Sequence, residues 1–110
     1  MYKLNKAEVK MRDFIGQRLT GAALTIKGHK IRSMAIARVV DERFGVNIYQ
    51  FQLKHIFWLL SVKNIKLGEA TQYNYWLTVR ELIAMKRKSE HWLPKLQQGG
   101  WLRPRAGKLK

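Results

Sequence analysis

The chain has 110 residues and a mass of 13.0 kDa, enough for one hydrophobic core and too little for two independent ones. Lys and Arg number 22 against 7 Asp and Glu, giving a formal net charge of +15, which points to a polyanionic partner, nucleic acid before anionic membrane. Apolar residues at 46% exclude a disordered basic tail, and the absence of cysteine excludes disulfides, thiolate nucleophiles and Cys-zinc or iron–sulfur sites.

Both prolines, Pro94 and Pro104, lie near the C-terminus, so glycine supplies the punctuation elsewhere. Between the glycines apolar residues recur at three- and four-residue spacing, which predicts an all-α domain. A first helix is expected from Asn5, where Asn5 and Glu8 have capping-box spacing, with Met11, Phe14, Ile15 and Leu19 on its apolar face. A longer second helix is expected with Thr25 as N-cap and with Ile26, Ser33, Ile36, Ala37, Val40 and Phe44 on one stripe. It ends at Gly45, placed for a left-handed C-terminal cap. Gly28 weakens its first turn, or serves close approach of another chain or of a phosphate.

Residues 46–49 read as a connector, followed by a third helix over 50–62 that buries Leu53, Ile56, Phe57 and Leu60. After a loop marked by Asn64, Lys66 and Gly68, a fourth helix is expected from 69–71 to Lys88, burying Tyr73, Trp76, Leu77, Ile83 and Ala84. A weaker segment covers 91–98. This places a helical domain at 1–98 and a basic tail at 99–110. The longest apolar run, Ile56 to Leu60, is far short of the roughly 20 residues that cross a bilayer. With no signal peptide apparent behind Met1, the expectation is a cytoplasmic protein with no membrane partner, associated with the nucleoid when bound.

The charge is concentrated at the ends of the chain. Residues 1–32 hold eight basic and two acidic side chains, residues 33–85 six and four, and residues 86–110 eight and one. Three groups are candidate nucleic-acid contacts. Thr25, Lys27, His29, Lys30 and Arg32 open the second helix, where backbone N–H groups favour an anion as well. Lys86, Arg87 and Lys88 lead into Lys95, Arg103 and Arg105, beyond what a helix C-terminus needs for its dipole. Thr71, Gln72, Asn74 and Tyr75 start the fourth helix, and Asn74, Thr78 and Glu81 form a polar wedge whose amides and hydroxyls could read base edges. Against these stands the plain alternative of solvated lysines and neutral surface with Thr71 as N-cap. Phe44, Phe51, Phe57, Trp58 and Trp76 read as core, leaving Trp92 and Trp101 as stacking candidates.

Enzyme chemistry finds no footing. His29, His55 and His91 have no carboxylate at ligand or triad spacing, and no phosphate loop or nucleophile elbow is present. No catalytic residue, metal site or cofactor is assigned, and His55 reads as a packing histidine.

The order of features resembles a known family. A Thr-headed basic helix (Thr25 to Phe44-Gly45) precedes Phe51-Gln52-Leu53-Lys54-His55-Ile56, then Gly68-Glu69-Ala70-Thr71-Gln72-Tyr73-Asn74 with Arg80 following. Over residues 8–90 this is similar to the N-terminal core-binding (SAM-like) domain of prophage tyrosine recombinases. The resemblance implies a compact four- to five-helix bundle of two crossed helical hairpins clamping duplex DNA, with the Thr25–Arg32 and Thr71–Tyr75 turns at the major groove. It also implies a phage or mobile-element origin. Those recombinases continue into a catalytic domain for which this chain has no room, so the expectation is a free-standing DNA-binding derivative or a fragment. Double-stranded DNA is thus the expected partner, with RNA or an acidic protein as alternatives.

Overall fold

A capping box opens the first helix, as the Asn5–Glu8 spacing predicts. In the computed structural model, which describes residues 3–16, 18, 19, 21 and 23–97, Glu8 N–H donates to Asn5 Oδ1 at 2.8 Å and Asn5 N–H donates to Glu8 Oε1 at 3.0 Å. Two donors that the helix start would leave unpaired are thereby satisfied. Helix α1 runs over Lys6–Gly16 and buries Ala7, Glu8, Met11, Phe14 and Ile15, leaving Lys6, Lys10 and Arg12 in solvent. Glu8 also accepts from Arg38 Nη1 across to the next helix, at 3.2 Å.

That next helix, α2, covers Ala23–Phe44. Thr25 is therefore its third residue rather than its N-cap; Ala23 and Leu24 are good helix formers and carry the helix back past it. The predicted stripe is inward: Ser33, Ile36, Ala37 and Val40 are buried, with Ile26 and Phe44 half-buried. Gly45 ends the helix at φ +70, its N–H donating to Asp41 O at 2.8 Å. This is the left-handed cap that glycine adopts without a Cβ penalty.

The connector is more structured than its β-branched residues imply. Asn47 and Gln50 form a second capping box around a 3₁₀ turn, Ile48–Gln50. Helix α3 follows at Leu53–Trp58, and a π-helical segment, Leu59–Lys63, continues it. Asn64 N–H closes that wide turn on Leu59 O at 3.0 Å, and Asn64 Nδ2 is buried without a hydrogen-bond acceptor. The predicted stripe here is displaced. Ile56, Leu59 and Leu60 are buried, whereas Phe57 is 51% exposed, because it lies about 100° round the helix from Ile56.

Helix α4, Glu69–Met85, has Gly68 at its N-cap, and helix α5 is Ser89–Leu96 with Pro94 inside it. The apolar arc of α4 is Trp76, Val79, Leu82 and Ile83, joined by a fully buried Thr78. Ala84, expected inside, is exposed, and Tyr73 and Leu77 are half-buried.

The secondary structure is all-α among the described residues. The chain divides between His55 and Ile56, within α3, into two compact units. In the first, α1 packs on α2 and on the 3₁₀ turn, around Met11, Phe14, Ile15, Ile36, Val40 and Ile48. In the second, α4 packs on α5 and on the π segment, around Leu59, Leu60, Trp76, Leu82, Ile83 and Leu96. No described helix is long and apolar enough to cross a membrane.

Candidate nucleic-acid interface

The joint between α4 and α5 is three residues long, and all three are cations. Lys86 N–H donates to Leu82 O, Arg87 N–H to Ala84 O at 2.9 Å and Lys88 N–H to Ile83 O at 3.0 Å. The last two bonds are the pair that defines a Schellman motif, and they require the residue between, Arg87, to be left-handed. Its φ is +62, the only positive φ at a non-glycine residue among those described.

Positions 87 and 88 are unfavourable for the residues that hold them, and position 86 is partly buried. A left-handed backbone crowds Cβ against the carbonyl and costs an L-residue about 1 kcal/mol, which is why glycine is usual there. Lys86 is half-buried; burial, and then the charge of Lys88, hold its pKa below the ordinary lysine value. Lys88 occupies the N-cap of α5, its side chain makes no capping hydrogen bond there, and it sets a positive charge at the positive end of the helix dipole. Arg87 and Lys88 are exposed, as is Lys95 on α5.

In the first unit, Lys27 and Lys30 are exposed on α2 and Thr25 is exposed beside them. His29 is not part of that surface. It is 8% exposed and belongs to the inward stripe with Ser33, Ile36 and Val40, a correction to its place among the candidate contacts. Arg32 is half-buried and its guanidinium lies along the helix over Gly28, where an added Cβ would meet Nη2 at 3.2 Å. The close approach that Gly28 permits is thus made by the chain's own arginine. Leu24 and Ile31, 84% and 62% exposed, flank Lys27 on the outer face.

The polar start of α4 is only partly open. Thr71 and Asn74 are exposed and Tyr75 is half-buried. Gln72 is engaged elsewhere: its Nε2 donates to Leu67 O at 2.7 Å and Ile65 O at 3.4 Å, tying the preceding loop to the helix. Thr78, in the middle of the predicted wedge, is fully buried, so the wedge reduces to Asn74 and Glu81. Trp92 is half-buried, while Trp101, Arg103 and Arg105 lie outside the described residues. Among the described residues no three of His, Cys, Asp and Glu gather as metal ligands.

His55 is a packing histidine. It is 4% exposed, Gln52 N–H donates to its Nδ1 at 2.9 Å, and its ring lies 4.7 Å from that of Phe44. Burial, and then Lys54, lower its pKa from 6.5. Well above pH 6.5 the ring is neutral in both folded and unfolded chains and contributes no pH dependence. Below it the unfolded chain takes up the proton first, so stability falls until the lower folded value is reached. The stability gap between the wild type and His55→Gln, measured by urea unfolding, is therefore expected to narrow as pH falls from 6.5 towards the folded value. A gap that stays constant with pH would show that the ring titrates alike in both states.

No protein-family model, curated protein or solved structure matches the chain.

Proposed function

We propose that the protein binds double-stranded DNA without catalysis, holding phosphates with the cations of the α4–α5 joint. The observation that carries this is Arg87 at φ +62, between a partly buried Lys86 and an N-cap Lys88. Folding alone would be better served by glycine at 87 and by Ser or Asp at 88. Phosphate at the joint offsets the repulsion between Lys86 and Lys88 and meets the positive end of the α5 dipole. Lys27 and Lys30 on α2 provide a second set of phosphate contacts, and Thr71 and Asn74 the limited base readout.

The likeness to recombinase core-binding domains supports the Thr25–Arg32 and Thr71–Tyr75 segments as contacts and an accessory role on mobile DNA, in the cytoplasm and on the nucleoid when bound. Fluorescence anisotropy with a labelled duplex at rising salt is the test. Each phosphate contact adds about −0.9 to the slope of log K against log salt, so Lys86, Arg87 and Lys88 together are expected to contribute about −2.7. A slope near zero, or no binding at low salt, would remove the proposal.

A further inference from the structure

The residues from Arg43 to Gly68 include four cations and no acidic side chain. Within that stretch, the end of α2, the 3₁₀ turn and the start of α3 enclose an open groove of about 630 Å³. Its inner wall is aromatic: the ring of His55 lies 4.7 Å from Phe44 and 6.3 Å from Phe51. Tyr49, also on the groove, is 53% exposed and is steadied by an edge contact with Phe14, ring centroids 5.5 Å apart at 88°. The rim is polar and cationic. Gln50 Oε1 accepts from Asn47 N–H and from Asn47 Nδ2, both at 3.0 Å, which leaves the Gln50 amide NH₂ as a donor for a ligand. Gln52 and Lys54 are exposed on the same groove, and the Arg43 guanidinium lies 5.4 Å from the Phe44 ring centroid.

We infer that this groove takes an unpaired nucleobase of a single strand, stacked on Tyr49, with its edge on Gln50 or Gln52 and its phosphodiester on Lys54. The chemistry discriminates between ligands. An aliphatic ligand would use the rings and leave the amides and Lys54 unanswered, and a duplex would answer the cations while keeping its base faces stacked inside. A base on its phosphodiester matches all three features together. The inference goes beyond duplex binding, uses none of the residues of the α4–α5 joint, and stands or falls separately from it.

The test uses the full chain and three probes of equal length: a DNA strand carrying the fluorescent base aminopurine, the RNA strand of the same sequence, and an abasic DNA strand. The base-containing strands are expected to bind about tenfold more tightly than the abasic one, with aminopurine emission quenched on binding. Tyr49→Ala is expected to remove that advantage and the quenching while leaving duplex affinity unchanged; Tyr49→Trp retains both. Lys54→Gln weakens all three strands but keeps the quenching. The DNA and RNA arms show which sugar the groove prefers. Equal affinity for abasic and base-containing strands overturns the inference, as does wild-type quenching by Tyr49→Ala. Binding of the strands without binding of duplex would sustain it and remove the duplex reading instead.

Discussion

Replacing Arg38 with Met is expected to destabilise the protein by about 2 kcal/mol, below the 3–5 of a fully buried pair because the arginine keeps water contact. Glu8 is 1% exposed and Arg38 43% exposed on their side chains, with Nη1 donating to Oε2 at 3.2 Å. The substitution withdraws a charge-assisted bond from a carboxylate already removed from water, while Met preserves the packing of the arginine stem. Glu8→Ala is expected to cost more, since it also removes the acceptor for Asn5 N–H and half of the capping box. Glu8→Gln should fall between the two, because an amide oxygen still accepts from Asn5. The double substitution should show a coupling of about 1 kcal/mol or more. All four tryptophans lie beyond His55, so helical circular dichroism rather than tryptophan emission is the appropriate signal for this unit. Additive effects of the two single substitutions would show that the pair behaves as a solvent-exposed one.

What was legible in the sequence is what local chemistry decides. The Asn5–Glu8 box and the Gly45 cap each need two or three residues at fixed offsets, and both occur where the spacing places them. The inward stripe of α2 follows from a 3.6-residue period that runs unbroken over the helix. The same period held the signal that His29 is buried, since 29, 33, 36 and 40 form a single row. Composition obscured it: a histidine between Lys27 and Lys30 reads as part of a basic cluster.

The departures come from features without a short-range signature. Both Phe57 and Leu59 lie at helical spacing from other apolar residues of α3, and spacing alone does not say which of them faces inward; Leu59 does. Gln72 bonds to Leu67 O, and that partner is fixed by the path of a loop rather than by spacing along a helix. The sequence carries no glycine near position 87, yet α4 ends at Met85 and the chain turns with a left-handed arginine. The aromatic groove was missed for a different reason. Phe44 and Phe51 read as core, His55 as a packing histidine and Tyr49 as part of a connector, and only the turn at Ile48–Gln50 brings them to one surface.

Arg87→Gly separates folding from function most sharply. Glycine removes the left-handed Cβ clash at φ +62 and adds freedom to the unfolded chain, so the net gain in stability is expected to be about 0.5–1 kcal/mol. The same substitution deletes one phosphate contact, so duplex affinity should fall severalfold and the salt slope flatten by about 0.9. Arg87→Lys keeps both the clash and the charge, and should match the wild type in both measurements. Combining Arg87→Gly and Lys88→Ser installs the residues that the Schellman turn and the α5 N-cap favour, and relieves the repulsion between Lys86 and Lys88. That double variant is expected to be the most stable of the set and the weakest binder, its salt slope shallower by about 1.8. A gain in stability together with loss of duplex binding is the trade-off of a segment shaped for a ligand rather than for the fold. If Arg87→Gly is stabilised yet binds duplex with unchanged affinity and slope, the cations of this joint do not hold phosphate.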